Sequence, residues 1–185
     1  MKKTILLSVF AVGALTINAQ TTVVEGGGFG DNWSMGIQGG ATMKTQKSGF
    51  FKSARPAFGL TIGKQWTPIL GTDIQGMGYI NTTNSSTLID ASDVSLIARM
   101  NLMNLFAGYE GIPRPFEIET STGLGWLHHY MNGEGDTDDL SARVGLNFNF
   151  NFGEDAAWTF GIKPAVVFNL TGDYPSKKMG FNKRH

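Results

Sequence analysis

Residues 140–170 read LSARVGLNFNFNFGEDAAWTFGIKPAVVFNL, two alternating segments on either side of a break at Gly153–Ala156. Apolar and polar residues take opposite parities in each segment, and a period of two is typical of a β-strand whose faces meet different environments. At roughly 3.3 Å per residue each strand would span about 40 Å, well beyond an ordinary soluble strand. A large apolar face opposite a polar, Gly-rich face predicts a transmembrane β-barrel. The apolar parity consists of Leu140, Ala142, Val144, Leu146, Phe148, Phe150 and Phe152, then Trp158, Phe160, Ile162, Pro164, Val166, Phe168 and Leu170.

The N-terminus has the three parts of a secretory signal peptide. A pair of lysines precedes the uncharged apolar run Ile5–Leu15, and Ala19 then offers a cleavage position. The apolar run is too short to cross a membrane as a helix. The sequence therefore predicts an exported protein with a signal peptide at 1–19, a flexible lead-in at 20–32 and a barrel at 33–185.

The amino-acid composition excludes several kinds of site and partner. The chain has no Cys, so a disulfide framework, a thiolate metal site and a lipid-modified N-terminal Cys are excluded. Fifteen basic residues balance fifteen acidic ones, which gives no reason to expect a nucleic-acid partner. No later apolar run is long enough for a membrane helix, so any membrane insertion must use strands.

Five further alternating segments precede the quoted pair, so the sequence predicts seven antiparallel strands of an up-and-down barrel of the eight-stranded type. The connections alternate in length: Lys44–Ala54, Asn81–Asp93 and Met131–Asp139 are long and polar, whereas the other three are short. This alternation is typical of outer-membrane barrels, in which the short turns are periplasmic. The five preceding strands are predicted at Trp33–Met43, Arg55–Trp66, Leu70–Ile80, Leu96–Gly108 and Phe116–Tyr130.

Aromatic residues gather at the predicted strand ends, where amphipathic rings favour a membrane–water interface. Lys64 lies on the lipid-facing parity close to Trp66, and its ammonium is expected to extend toward that interface. The predicted interface aromatics are Trp33, Trp66, Phe106, Phe116, Phe152 and Trp158 on the periplasmic side, and Trp126, Tyr130 and Phe168 on the outer side.

The orientation of the two faces separates a membrane barrel from a soluble one. A soluble lipocalin-type barrel would turn its apolar face inward, but the aromatic face is too bulky for the lumen of about eight strands. The sequence therefore predicts apolar residues outside and polar residues inside. Inward charges are expected to pair with one another, because an unpaired buried charge is strongly destabilising. The predicted polar network of the lumen consists of Asp73, Arg99, Glu117, Glu119, Arg143 and Lys163.

Several short phrases and the signal peptide resemble the N-terminal barrel of OmpA-type outer-membrane proteins of Bacteroidetes. The phrases are Asp31-Asn32-Trp33, GKQWTP at Gly63–Pro68 and GLGW at Gly123–Trp126, together with the Pro- and Gly-containing turn after the fourth strand. The resemblance implies an eight-stranded barrel followed by a periplasmic peptidoglycan-binding domain, and it allows the inner charges to act as a salt-bridge gate. With seven strands found, the chain is expected to stop inside the fourth outer loop; alternatively, Met179–His185 forms a stub of strand eight.

No catalytic, cofactor-binding or metal-binding residue is predicted. His128 and His129 are adjacent on a strand and face opposite ways, and the acidic loop Glu134–Asp139 lacks the spacing of a calcium-binding EF-hand. The predicted function is a non-enzymatic outer-membrane barrel that anchors and stabilises the cell envelope, with at most weak pore activity. A small-solute porin is the alternative, followed by a barrel enzyme or a lipocalin-like binder. The predicted partners are outer-membrane lipid and lipopolysaccharide, with peptidoglycan bound only through a downstream domain.

Overall fold

The structure, a computed structural model, describes residues 13–16, 28–42, 54–80, 88–130, 137–153 and 156–171. Several predicted features lie wholly or mostly outside these residues: the signal peptide with its cleavage position after Ala19, the lead-in at 20–32, the loops Lys44–Ala54, Asn81–Asp93 and Met131–Asp139, and the strand stub at Met179–His185. No helix in the described part of the chain is both long and apolar enough to span a membrane.

Nine strands and one short helix make up the described chain. The alternation of apolar and polar residues accounts for most of the strands, and the chain reverses direction at turns rich in Gly, Pro and Asn. The elements are β1 Gly13–Thr16, β2 Trp33–Thr42, β3 Arg55–Gln65, β4 Leu70–Ile80, β5 Ile89–Asn101, α1 Leu102–Ala107, β6 Phe116–His129, β7 Thr137–Phe152, β8 Trp158–Ile162 and β9 Ala165–Asn169.

All pairings in the sheet are antiparallel, and β2 to β7 each pair with the next strand in sequence. The predicted all-β, antiparallel, up-and-down fold is therefore confirmed. β9 also pairs with β7, beyond the end of β8. The sheet is not closed: among the described residues β1 and β2 approach within 8 Å between Cα atoms, but no ladder joins them.

β1 lies within the segment predicted to be a signal peptide. It pairs with the side of β8 that faces away from β7, with Gly13 opposite Ile162 and Thr16 opposite Thr159. The edge of β8 otherwise presents unpaired backbone N–H and C=O groups, and such an edge is a template for another strand. In this structure, part of the predicted signal peptide provides that strand.

The register joins apolar residues of successive strands into one continuous row across the outer face. Each member of the row lies directly opposite the next, so the row runs from β2 through β7 to β9. Because the pairings keep residues of one parity on one face, most of the large apolar side chains of the strands fall on this outer face, whereas Ala57, Met77, Ala91 and Ile97 are buried on the other. The row consists of Met35, Ile62, Ile74, Leu96, Leu124, Ala142 and Phe168.

The predicted fourth strand, Leu96–Gly108, is wrong at both ends. β5 begins at Ile89, within the predicted loop Asn81–Asp93, and ends at Asn101. The following residues form α1, because the Asn101 side chain accepts a hydrogen bond from the Asn104 backbone N–H at 2.9 Å and so caps the helix.

Two further strand predictions need correction. β7 begins at Thr137, so the predicted loop Met131–Asp139 is shorter than expected. The predicted seventh strand, Trp158–Leu170, is divided into β8 and β9 at Lys163–Pro164. Proline has no N–H for the ladder and interrupts the pairing, although its carbonyl still accepts from Leu146 N at 3.0 Å.

Candidate functional site

The buried side chains of this protein are mostly polar, and its large apolar side chains are mostly exposed. This is the reverse of the usual distribution in a soluble domain. Buried hydrophobic residues among those described are only Ala57, Met77, Ala91 and Ile97. Buried polar or charged residues include Gln38, Thr61, Asp73, Gln75, Asp93, Ser95, Asn101, Glu117, Glu119, Ser121, Ser141, Arg143, Asn147 and Asn149.

Arg99 on β5 links the two strands beside it. Its Nε lies 2.8 Å from Asp73 Oδ1 on β4, and its Nη1 lies 3.1 Å from Glu119 Oε1 on β6. Gly63 faces Asp73 across the β3–β4 ladder, and a Cβ at Gly63 would collide with that carboxylate. The small residue therefore makes room for the charged cluster.

Arg143 on β7 forms a second cluster with residues of β5 and β4. Its Nη2 lies 2.9 Å from Asp93 Oδ2, and its Nη1 donates to Gln75 Oε1. Ser95 Oγ also donates to the Asp93 carboxylate at 2.6 Å. Because β7 and β4 are separated by two other strands, this direct contact requires the sheet to curl around its polar face.

We call Asp73, Asp93, Arg99, Glu119 and Arg143 the inner charge network. Amide side chains extend it: Gln75 donates to Gln38 Oε1, Gln38 donates to Thr61 Oγ1, and Asn147 Nδ2 donates to Glu119 Oε2 at 3.3 Å. The bond from Asn147 to the Glu119 carboxylate is charge-assisted, which is the stronger class, whereas the two glutamine bonds join neutral groups.

Glu117 and Lys163, the other two predicted network residues, lie beside these clusters. Glu117 is buried and accepts a hydrogen bond from Asn151 Nδ2 at 3.0 Å. Lys163, between β8 and β9, is close enough to Asp73, Arg99 and Glu119 to interact with them electrostatically. Within the described residues no carboxylate oxygen lies within 4.0 Å of its ammonium, so Lys163 forms no direct ion pair there.

A cavity of about 40 Å³ lies inside the curled sheet, large enough for ordered water. Beside it, Ala57 and Met77 pack with Tyr79, Ala165 and Val167 in a small buried apolar cluster. Side chains of the inner face therefore surround this small cavity on several sides. The cavity is lined by Gln38, Asp73, Gln75, Met77, Ile97, Ser121, Arg143, Asn147, Lys163 and Ala165.

Sequence reasoning missed Asp93, which it assigned to a loop. The available signal was parity, because Asp93 has the same parity as Ser95, Ile97 and Arg99. Extending the alternation backward from Arg99 would have placed Asp93 on the inner face. The pairing of Asp93 with Arg143 could not be predicted, since it depends on how strongly the sheet curls.

Lys64 differs from its predicted role. Its side chain is buried, and its ammonium donates to the backbone carbonyls of Gly28, Phe29 and Asp31 at 3.2, 2.9 and 2.7 Å. The same ammonium lies 5.0–5.5 Å from the centroids of three aromatic rings, those of Phe29, Trp33 and Trp66. Residues 28–31, in the described part of the lead-in, fold back over Lys64, and the ammonium therefore does not extend to solvent.

Eight of the nine predicted interface aromatics lie toward the two ends of the strands, but Phe168 lies opposite Ala142 in the mid-strand row that contains Leu96, so its predicted interface position is wrong. Eight are exposed, whereas Phe168 is half-buried, and Phe106 lies on α1 rather than on a strand. The end of the sheet that contains the short turns carries Trp33, Trp66, Phe106, Phe116, Phe152 and Trp158, and the half toward the opposite end carries Trp126 and Tyr130.

The two adjacent histidines contact different acids on β7. His128 Nδ1 lies 2.7 Å from Asp138 Oδ1, and His129 Nε2 lies 3.4 Å from Asp139 Oδ2. Over the described ranges, no three His, Cys, Asp or Glu side chains are grouped so as to hold a metal ion. The histidines therefore link β6 to β7 near the end of their hairpin.

Comparison with known proteins gives no family assignment. No family profile, curated protein or solved structure matches the chain. The function has to be inferred from the arrangement itself: a fixed inner charge network, a small polar cavity and a continuous apolar outer face.

Proposed function

We propose that this protein is an outer-membrane β-barrel protein that anchors and stabilises the cell envelope without catalysing a reaction. The observation that carries the proposal is the reversed burial, with polar side chains inside the curled sheet and large apolar side chains outside it. Exposed apolar patches beyond a few hundred Å² are rare on soluble monomers, whereas lipid requires such a surface.

The hydrogen bonding of the backbone also supports a membrane location. Inside a bilayer each backbone polar group must be satisfied by the protein, which strands achieve through neighbouring strands. Here β2 to β8 are joined edge to edge by continuous antiparallel ladders. The row of outward apolar side chains would then contact acyl chains, and the aromatic residues near both edges would lie close to the lipid headgroups.

The predicted signal peptide and the short turns on one edge support an orientation with that edge in the periplasm. The sequence phrases that resemble OmpA-type barrels of Bacteroidetes favour the same assignment. The partners under this proposal are outer-membrane lipid and lipopolysaccharide. A lipocalin-like role is disfavoured because the buried residues are polar rather than apolar.

A small-solute porin is the second candidate, favoured by the polar cavity beside Arg143 and Lys163. The ion pairs of the inner charge network cross the interior and leave little free volume, so any pore would be weak. Conductance of the protein in planar bilayers, measured before and after Arg143→Ala, tests this candidate. A porin requires measurable conductance that changes in the variant, and an envelope anchor requires neither.

The membrane proposal is tested by placing a charge at the centre of the apolar row. Leu96 is 62% exposed in mid-strand, whereas Leu88, 77% exposed, precedes the start of β5 near the edge. Leu96→Arg should destabilise the protein refolded in lipid vesicles by about 2–4 kcal/mol, and Leu88→Arg by about 0–1 kcal/mol. Urea unfolding followed by tryptophan fluorescence measures both variants.

Two outcomes would refute the proposal. One is equal stability of the Leu96→Arg and Leu88→Arg variants, because a water-exposed surface accepts arginine at either position. The other is a chain that remains soluble and folded without detergent or lipid. Heat-modifiable mobility on gels, which reports a folded membrane barrel, is expected for the unmodified protein.

A further inference from the structure

The short helix α1, in the connection between β5 and β6, has the same reversed amphipathicity as the sheet. Asn104 is its buried residue, whereas Leu105 and Phe106 are exposed. Phe106, at 82%, is the most exposed large hydrophobic residue in the described part of the chain. A short helix in water would normally turn these residues the other way round.

Hydrogen bonds hold α1 in this orientation. Asn104 Nδ2 donates to the Pro68 carbonyl at 2.8 Å, which ties the helix to the neighbouring β3–β4 turn. Arg114 Nη1 donates to Asn104 Oδ1 at 2.7 Å, and Arg114 Nη2 donates to the Gly108 carbonyl at 2.7 Å. The polar side of the connection is thus used for attachment, and its apolar side is turned away from the sheet.

The location of α1 indicates what its apolar side contacts. α1 lies at the end of the sheet that contains the short turns. Trp66 and Phe116 are exposed at the same end, so Phe106 adds a further exposed ring there. The two charges of the connection, Glu110 and Arg114, are 3.4 Å apart and neutralise each other. A neutral segment with protruding Leu and Phe side chains has the chemistry of an interfacial membrane contact.

We propose that α1 is a membrane-contact element, with Leu105 and Phe106 inserted into the interface of the lipid leaflet that adjoins the short turns. The inference rests on the proposed membrane location of the sheet and adds a specific lipid contact outside the strands. α1 would bring the β5–β6 connection down onto the lipid surface.

Site-directed spin labelling tests this placement, and the absence of Cys in the chain allows single labels without background. Three variants are compared in phosphatidylcholine vesicles: Phe106→Cys on α1, Glu110→Cys on the same connection and Leu96→Cys in the apolar row. Each label is exposed to oxygen, which concentrates in lipid, and to a nickel chelate present on both sides, which remains in water. Folding of each variant is verified by gel mobility, and Leu105→Cys replaces Phe106→Cys if that variant does not fold.

The expected result is a severalfold higher ratio of oxygen to nickel accessibility at position 106 than at position 110, with the highest ratio at position 96. A ratio at 106 equal to that at 110 would overturn the inference, because α1 would then be in water. Low accessibility to both reagents at 106 would also overturn it and indicate a protein contact instead. If the label at position 96 is itself in water, the membrane proposal fails rather than the placement of α1.

Discussion

Glu119 provides a direct test of whether the inner charge network stabilises the protein. Its carboxylate pairs with Arg99 at 3.1 Å and accepts a hydrogen bond from Asn147, and its side chain is only 6% exposed. Glu119→Gln keeps the size and one carbonyl acceptor but removes the negative charge. Arg99 keeps its ion pair with Asp73, so the variant weakens the cluster without leaving the guanidinium unpaired.

The expected loss follows from the contacts that change. A hydrogen bond to a charged group contributes about 1.5–3 kcal/mol, and complete rupture of a buried ion pair is worth about 3–5 kcal/mol. Because Arg99 keeps one carboxylate, we expect a loss of about 2–3 kcal/mol. With a slope of about 2 kcal/mol per molar urea, the unfolding midpoint should fall by about 1 M.

Glu110→Gln is the matched control, since the same substitution removes a carboxylate paired with an arginine. Glu110 is 70% exposed and lies 3.4 Å from Arg114, so its removal should change stability by about 0.5 kcal/mol or less. Both variants are refolded into the same vesicles and unfolded in urea, with tryptophan fluorescence as the signal. Equal midpoints for Glu119→Gln and Glu110→Gln would refute the conclusion that the buried network contributes to stability.

Two further predictions concern the lead-in and the packing of the inner face. Lys64→Met removes the donor to three backbone carbonyls, so we expect a loss of about 2 kcal/mol and faster protease cleavage before Trp33, measured by urea unfolding and limited proteolysis. Gly59→Ala places a methyl group against Met77 Sδ and should destabilise the protein by about 1–3 kcal/mol. Gly76→Ala is the control and should be tolerated, because nothing lies within 4 Å of the added methyl group. Equal shifts of the urea midpoint in the two variants would contradict this packing argument.

The fold was predictable because side-chain parity is an all-or-none property of a strand. A register slip of one residue would place Leu96 inside the sheet and Arg99 outside, so the pattern allows only one orientation of β5. The same rule predicted that Asp73, Glu119 and Arg143 share one face, and the structure buries all three. Their roles as a candidate site remain a prediction.

The helix α1 and the curl of the sheet could not be predicted from the alternation of apolar and polar residues. Asn101 caps α1, but leucine and methionine after it also extend an apolar strand pattern, so the helix and strand interpretations compete locally. The partner of Arg143 depends on the curl of the sheet, which brings Asp93 and Gln75 within its reach. Neither the curl nor the folding of the lead-in over Lys64 leaves a periodic signal.

The predicted removal of the signal peptide would change the hydrogen bonding of β8 and therefore the stability of the sheet. Gly13–Thr16 pairs with Thr159–Ile162 here, yet the sequence predicts removal of residues 1–19 on export. If removal occurs, the outward backbone groups of β8 lose this partner, and each unsatisfied group in lipid is destabilising by several kcal/mol. A membrane-inserted form without residues 1–19 therefore needs a different strand between β8 and β2. Whether β8 gains such a partner determines whether the curled sheet becomes a closed barrel.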